Sequence, residues 1–332
     1  MRFSAYLARR LLLALGVLLG LSVLVFAITR AIGNPVSAYV TPRDSAQEVQ
    51  LIAAKYHLNQ PLYIQYGYWL WAVLHGDLGL SPTYGYQPVS GLILQYLPIT
   101  VELAIYTMIF SVPIAMWLGT SSAKNKDKVP DHLSRIFAIS GWSMPQFVIG
   151  LFILYVLYSY HIIVLNPSFS FKTVTGMPTF DSLFAGDISG FVQAWQYLLG
   201  PLIVMIYTNV AIMARVLRSS MIEELEKDYV TTATAKGLSF NSVVKVHARR
   251  NALISFTTIT GVSVGYWLTG SVIVETIFNR QGVGLLAANA AVHLDSPLVL
   301  GFAIFSGVVM IVANFVADLL YAKLDPRIRL GE

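Results

Sequence analysis

One pentapeptide in the sequence has the residue pattern of a hydrolase nucleophile. Gly261-Val262-Ser263-Val264-Gly265 fits Gly-x-Ser-x-Gly, in which the serine stands on a tight turn between a strand and a helix. Here the pentapeptide lies inside an apolar stretch that is long enough to be a membrane-spanning helix, where glycines four residues apart form a packing face. We therefore interpret Gly261 and Gly265 as packing residues and not as parts of an active site.

Four ionisable residues lie within or beside apolar stretches, and at membrane depth such residues usually mark function. They are Glu102, Glu275, Asp318 and His161. All fall near the ends of predicted spans, which favours capping, ion pairing or cavity lining over a proton relay. The six histidines show no His-x-x-x-His or carboxylate pattern, so no metal site is predicted.

The sequence lacks the phosphate-binding motif of the common ATPases. It contains no Gly-x-x-x-x-Gly-Lys-Ser/Thr phosphate loop, so we do not expect the chain itself to bind ATP in that way. It also contains no cysteine, which excludes disulfides, thiolate metal sites and cysteine nucleophiles. We predict no catalytic residue and no enzyme activity, and any use of ATP must pass through another subunit.

The composition places the chain in a membrane. Of 332 residues, 56% are hydrophobic and only 12% are charged, which is too apolar for one soluble globular domain. The net charge of +5 could suggest nucleic acid, but the positive residues cluster beside the ends of apolar stretches. That distribution indicates membrane orientation. We predict an all-α integral membrane protein that lies in the lipid bilayer and does not bind nucleic acid.

Six apolar stretches are predicted to cross the membrane as helices. The first, Leu11–Ile28, would be about 27 Å long, which is nearly enough to cross the hydrocarbon layer. It is also longer than the apolar region of a signal peptide. The others are about Ile99–Thr120, Ile136–Tyr160, Tyr197–Met213, Leu253–Val274 and Pro297–Tyr321. This divides the chain into a first segment and span (1–30), an external region with short helices (31–98), a core (99–322) and a tail (323–332).

The distribution of lysine and arginine gives the orientation. Of the 22 Lys and Arg residues, all but five lie on the same side of the membrane in the predicted topology. The exceptions, which we place in external segments, are Arg30, Arg43, Lys55, Lys172 and Arg280. Because cytoplasmic loops carry the excess of positive charge, both termini are predicted to be cytoplasmic.

The external segments have distinct compositions. Ser45-x-x-Glu48 fits a capping box that opens a helix, and a second helix after Pro61 is rich in Tyr and Trp until Gly76-Asp77. This region is either an aromatic interfacial segment or a small packed external domain. The segment 161–196 is predicted to have little regular structure, and no role follows from it. Residues 282–291 predict a short helix of small residues, and a re-entrant position would require that protein covers it.

A polar, charge-dense insert, residues 215–252, separates two of the long apolar stretches. Within it we predict a helix from about Asp228 to Lys236, about 13 Å long, that ends at Gly237 in the left-handed conformation. Small residues at Ala233, Ala235 and Gly237 would let the backbone of another protein come close. The alternative is an ordinary solvated loop held on the cytoplasmic side by its positive charge.

The pattern of this insert resembles a known family. Tyr229-Val230-x-Thr232-Ala233-x-Ala235-Lys236-Gly237-Leu238 is similar to the coupling-loop signature of the permease subunits of oligopeptide and dipeptide ABC importers. The resemblance covers nearly the whole chain and includes Asn59–Leu62, Gly76–Gly79, Leu97–Ala104, Arg250–Leu253, Val274–Phe278 and Leu324–Arg327. One departure is Ser255, where the family commonly has proline, so the bend after the coupling loop is open to question.

The resemblance implies a type I ABC importer permease fold, with an N-terminal helix and a five-helix core. It implies an ATPase-coupling site at Asp228, Tyr229, Thr231, Thr232, Ala233, Ala235, Lys236 and Gly237. The implied partners are a second homologous permease subunit, two ATPase subunits that form a heterodimer and bind ATP and Mg, and an extracytoplasmic substrate-binding protein. This chain would carry no cofactor of its own.

The implied location is the plasma or inner membrane of the cell, and the implied cargo is short peptides, with oligosaccharides as the alternative. No substrate-binding residue is indicated. A secondary transporter is a competing class, but it would need a buried relay or broken helices at mid-membrane, and the sequence shows neither clearly.

The orientation can be tested by labelling, because the chain has no cysteine of its own. Single cysteines at Ser45 and Ser182 should react with a membrane-impermeant reagent from outside, and one at Ser242 only from inside, since 215–252 carries the cytoplasmic positive charge. Labelling of the Ser242 position in intact cells would contradict the predicted orientation.

Overall fold

The computed structural model describes residues 3–32, 36, 40 and 45–324, and most of them are helical. The helices are α1 Phe3–Ile32, α2 Ala46–Lys55, α3 Leu62–Leu74, α4 Val89–Lys124, α5 Val129–Ser143, α6 Gln146–Ser159, α7 Pro178–Ala185, α8 Ile188–Leu225, α9 Asp228–Ala235, α10 Phe240–Ser242, α11 Arg249–Leu268, α12 Val272–Ile277, α13 Val283–Val292 and α14 Ser296–Leu324. The only strands in these ranges are β1 Leu80–Ser81 and β2 Gln87–Pro88, which pair antiparallel around the 3-10 turn Pro82–Tyr84. A π-helical turn, Val243–Ala248, connects α10 with α11.

The two longest helices, α4 and α8, form the centre of the bundle. They pack along each other, and α5, α6, α7 and α11 surround α8. The core between them is apolar and close-packed, with Leu198, Met213 and Leu217 fully buried. One polar contact lies inside it, where the Trp267 indole N–H donates to Asn209 Oδ1 at 3.0 Å. Burial of the indole donor is therefore compensated by a hydrogen bond.

Three described helices are long and apolar enough to cross a membrane: α4, α8 and residues Ser296–Ala317 of α14. Counting the bent pair α5 and α6 as one span gives four. In α1 the apolar part with described side chains is the shorter stretch Leu12–Ile28. The protein is therefore a multi-pass helical membrane protein. The tail after residue 324 and the side chain of Asp318 lie outside the described residues.

The prediction of one continuous span over 136–160 is wrong. The segment is divided into α5 and α6, whose axes meet at 103°. Pro145 explains the break, because proline has no N–H and pushes the residue before it away from helical geometry. Met144 accordingly has an extended backbone, with φ −83° and ψ 128°. The predicted span over 253–274 also ends early: α11 stops at Leu268, and Gly270 takes φ +90° before α12 begins.

The interpretation of the Gly-x-Ser-x-Gly pentapeptide as a packing face is confirmed. Gly261 and Gly265 face α14, where a Cβ atom on Gly261 would collide with Ala317 and one on Gly265 would lie 2.8 Å from Met310 Sδ. The Ser263 hydroxyl donates to the Ile259 carbonyl at 2.8 Å within α11. The serine is therefore on a helix and not on a strand-to-helix turn.

One external segment begins its helix as predicted, and another is more ordered than predicted. The capping box of α2 is present, because the Ser45 N–H donates to Glu48 Oε2 at 2.7 Å and the Glu48 N–H donates to Ser45 Oγ at 3.3 Å. Segment 161–196, expected to lack regular structure, contains α7 and the start of α8. Ser182 is fully buried there and bonded to the Thr179 carbonyl, so exposed Ser189 is the better labelling position.

Candidate functional site

The helix predicted in the polar insert is present as α9. It runs from Asp228 to Ala235, with Lys236 as its C-cap. Gly237 has φ +83°, its N–H donates to the Thr234 carbonyl at 2.9 Å, and the Leu238 N–H donates to the Ala233 carbonyl at 3.3 Å. These two bonds form a Schellman motif, which needs a residue that tolerates positive φ. The predicted left-handed position of Gly237 is confirmed.

A hydrogen-bonded cluster, Glu224, Lys227, Tyr229 and Asn251, fixes α9 to the helices on either side. The Tyr229 hydroxyl donates to Glu224 Oε2 at 2.5 Å, and Lys227 Nζ lies 2.5 Å from Glu224 Oε1. Asn251 Nδ2 donates to Glu224 Oε2 at 3.3 Å and to the Tyr229 oxygen at 3.2 Å. Burial and the Glu224 bond raise the pKa of Tyr229 to about 12, so its hydroxyl stays protonated and keeps donating. The end of α8, α9 and the start of α11 are thereby connected.

The eight predicted coupling residues do not all lie on one surface. Val230 and Ala233 are buried against Val243 of the π-helical turn, and Tyr229 is half-buried beside them. The exposed members of the set are Asp228, Thr231, Thr232, Ala235, Lys236 and Gly237. Ala233, which is predicted to contact another protein, lies on the buried side of α9 and packs against Val243 in this structure.

Sequence reasoning missed the exposed apolar residues that follow α9. The exposed fractions are 42% for Leu238, 52% for Phe240 and 61% for Val246. Lys236 and Lys245 are also exposed in this segment. Apolar side chains left open among basic residues are typical of a surface that another protein covers. The signal was available, because an aromatic residue such as Phe240 is unusual in a short polar insert.

A second cluster of charges is buried near the start of α8, whereas α9 follows the end of that helix. Glu102 and Arg280 are fully buried, and Arg280 Nη2 lies 2.5 Å from Glu102 Oε2. The Thr179 N–H and hydroxyl donate to Glu102 Oε1 at 2.8 and 2.6 Å. The Arg280 guanidinium also lies over the Tyr197 ring, 4.8 Å from its centre. Arg280 is thus buried inside the protein, where it joins the segment after α12 to α4, α7 and α8, and its predicted position on the external side of the membrane stays a prediction.

Glu275 caps α13. Its Oε2 accepts from the Gly284 and Leu285 N–H groups at 2.7 and 3.1 Å, and Thr100 Oγ1 donates to its Oε1 at 2.9 Å. These are first-turn amides of α13, where a negative side chain is favourable. Glu102 and Glu275 therefore serve ion pairing and capping, as predicted. The helix expected over 282–291 is also confirmed, and its entry into the membrane stays a prediction.

The fold and the site define a helical membrane protein with an exposed polar helix, α9, which is hydrogen-bonded to its neighbours and followed by exposed apolar residues. Residues 111–330 match the family described as "Binding-protein-dependent transport system inner membrane component". The chain belongs to this family, which confirms the resemblance inferred from its motifs.

Full-length relatives agree with this assignment. The chain is 33% identical over 326 residues to the oligopeptide transport system permease protein AppB of Bacillus subtilis, covering 98% of this chain and 99% of the relative. It is 35% identical over 325 residues to the probable D,D-dipeptide transport system permease protein DdpB of Escherichia coli, with 95% and 94% covered. With the dipeptide transport system permease protein DppB of Escherichia coli it shares 33% identity over 339 residues, with 98% of each covered.

The buried ion pair makes a testable prediction for stability. Arg280→Met should lower the free energy of unfolding by about 3–5 kcal/mol, because it leaves Glu102 buried without its cation. Adding Glu102→Gln should recover much of the loss, since glutamine is neutral and keeps an acceptor for Thr179. The measurement is denaturant unfolding of the purified variants in detergent. Equal losses in the single and double variants would show that the ion pair is not the cause.

Proposed function

We propose that the chain is the membrane-spanning permease subunit of an ATP-driven importer of short peptides. The observation that carries this proposal is α9, an exposed helix with a Schellman end, fixed by Glu224 and Asn251 to both neighbouring long helices. A helix held in this way can pass force from a partner into the bundle. Family membership and the peptide-transport names of the relatives support the same function.

The proposal includes an assembly and a location. Two ATPase subunits, forming a heterodimer, bind ATP and Mg, and one of them contacts α9, while this chain has no ATP site or enzyme activity. A second homologous permease subunit completes the passage, and an extracytoplasmic binding protein delivers the substrate. The chain adopts the type I permease fold with six spans in the inner membrane, and both termini are cytoplasmic. The α5–α6 pair would count as one span and α11 as another.

The proposed mechanism is a population shift between two states of the bundle. Closure of the ATPase pair on ATP must favour one state through differential contacts, since a ligand with equal affinity for both states shifts neither. The exposed side of α9, together with Leu238 and Phe240 that follow it, makes these differential contacts with the ATPase subunit. Because Tyr229, Glu224 and Asn251 bond to one another, a displacement of α9 reaches α8 and α11 together.

A proton-driven secondary transporter is the second candidate class, and the structure gives it less support. Its relay would need titratable groups near the passage that can exchange protons. The buried glutamates at 102 and 275 instead accept hydrogen bonds from neighbouring helices and hold the bundle together. The proposal of ATP-driven import therefore accounts for more of the described residues.

Gly237→Val should uncouple transport from ATP hydrolysis. Valine at φ +83° strains the backbone, although a Cβ there would meet no neighbour within 4 Å, so the defect should be confined to the end of α9. We expect transport in proteoliposomes to fall by about ten-fold, the ratio that about 1.4 kcal/mol produces.

The matched control is Gly237→Asn, because asparagine tolerates the left-handed region. This variant should transport at close to the wild-type rate, and both variants should reach the membrane in equal amounts. Normal transport with normal coupled hydrolysis in Gly237→Val would remove the coupling role from this helix end.

Short peptides are the proposed cargo, with oligosaccharides as the alternative. The substrate-binding protein that co-purifies with this chain should bind di- to pentapeptides and should not bind di- and trisaccharides, as calorimetric titration would measure. Binding of saccharides alone would replace peptide with sugar while leaving the ATP-driven permease intact. A receptor that held only a single amino acid or a metal ion would contradict both.

A further inference from the structure

The turn between α4 and α5 lies beside the end of α8, from which the chain continues into α9. This α4–α5 turn comprises residues 124–129, from the last residue of α4 to the first residue of α5. Lys126 Nζ in the turn lies 3.1 Å from Oε1 of Glu226, the C-cap of α8, and α9 begins two residues later at Asp228. Both side chains of the pair are exposed, so the pair itself adds little stability. It shows, however, that the turn is next to the helix assigned to ATPase coupling.

A buried ion pair fixes the α4–α5 turn in one position on α8. Asp131 is fully buried, and Arg218 of α8 donates to both of its carboxylate oxygens, at 2.6 and 2.7 Å. Ser122 of α4 also donates to Oδ1 at 2.5 Å, and the Asp127 N–H donates to Oδ2 at 3.0 Å. A buried carboxylate is tolerated only with such partners, so Asp131 holds α4, the turn and α8 together.

The α4–α5 turn also has a defined shape. The Lys128 N–H donates to the Asn125 carbonyl at 2.9 Å, and the Asn125 side chain donates to the Ser121 carbonyl at 2.8 Å. Asp127 takes the left-handed conformation, with φ +61°, which aspartate tolerates better than most residues. A partner that binds the turn does not have to order it first, which lowers the cost of association.

The exposed side chains of the turn are mainly basic. Lys124, Lys126 and Lys128 are exposed, and Asp127 is the exposed carboxylate among them. Lys126 has its ion-pair partner on α8, whereas Lys124 and Lys128 form no salt bridge with any of the described residues. Val129, directly after Lys128, is 69% exposed. This surface fits a partner that presents carboxylates around a small apolar contact.

The position of the turn along α8 favours a protein partner over lipid headgroups. From Met213, the end of the predicted apolar span, α8 continues to its C-cap Glu226, which is about 20 Å along the helix axis. A typical tilt of about 20° shortens this distance only slightly. The headgroup layer adds only about 5–8 Å on each side of the hydrocarbon. The Lys126 ammonium, in contact with Glu226, therefore lies beyond the headgroups, at the level of α9.

We propose that the α4–α5 turn is a second docking surface for the ATPase subunit that contacts α9, and that it binds an acidic patch on that subunit. The inference rests on the proposed function, because it adds a second contact to the same partner. Through Asp131 and Arg218, this contact acts on α4 and α8, whereas the contact at α9 acts on α8 and α11. One ATPase subunit held at both points thus acts on three long helices of the bundle.

Site-specific photocrosslinking in the assembled transporter tests the contact. Benzoylphenylalanine is introduced singly at Lys128, at Thr231 on the exposed side of α9, and at Lys172, an exposed lysine outside the turn. After irradiation, mass spectrometry identifies the molecule attached to each position. We expect the Lys128 and Thr231 positions to crosslink to the same ATPase subunit, and the Lys172 position not to crosslink to it.

Lys128→Glu tests the charge of the partner surface. This chain and its second permease subunit, together in nanodiscs, are titrated with the ATPase subunits. We expect the dissociation constant at low salt to rise about five-fold, and the difference to shrink at 1 M salt, where the Debye length is about 3 Å. Lys172→Glu is the matched control and should leave the dissociation constant unchanged. The exposed Lys128 side chain makes no capping hydrogen bond, so its replacement does not threaten folding.

The outcomes separate this inference from the proposed function. Crosslinking from Thr231 without crosslinking from Lys128 would overturn the second contact and leave coupling through α9 intact. Crosslinking from Lys128 to lipid alone would assign the turn to the membrane surface. No crosslink to an ATPase subunit from either position would contradict both the second contact and the coupling role of α9. An unchanged dissociation constant in Lys128→Glu would overturn the acidic patch.

Discussion

The arrangement of the bundle depends on a buried pair of opposite charges, Glu102 and Arg280. Each charge is out of reach of water, so each is tolerated only because the other is beside it. Thr179 of α7 and the Tyr197 ring of α8 complete the environment of the pair. Four parts of the chain that are far apart in sequence must therefore come together before either charge can be buried. Such a requirement favours one arrangement of the helices over others that would satisfy the apolar residues equally well.

The sequence predicted what depends on local chemistry. The capping box at Ser45, the glycine end of α9 and the glycine face of α11 follow from the backbone preferences of a few adjacent residues, and all three are present. The break at Pro145 was also local, and it was missed because the apolar composition of 136–160 continues across it. The apolar composition of a segment indicates that it lies in a membrane or a core, whereas a proline within it indicates where the helix breaks.

What the sequence could not predict depends on contacts between distant residues. In the sequence, Arg280 is indistinguishable from an exposed loop cation, because its buried partner Glu102 lies 178 residues away. Ala233 and Ala235 are equivalent small residues in the sequence, but Val243 beneath α9 buries one and leaves the other exposed. The cluster around Glu224 likewise joins residues from three helices, and its existence follows only from their packing.

The π-helical turn Val243–Ala248 has a consequence for how α9 and α11 are joined. Its hydrogen bonds span five residues where those of an α-helix span four, so it holds about one residue more than the same length of α-helix. A change of this turn to α-helical bonding would rotate the preceding residues by about 100° relative to α11 without unfolding either part. Val243, on which Ala233 rests, would turn with them. Such a change would let α9 rotate relative to α11, because the turn would release the one residue by which it exceeds an α-helix of the same length.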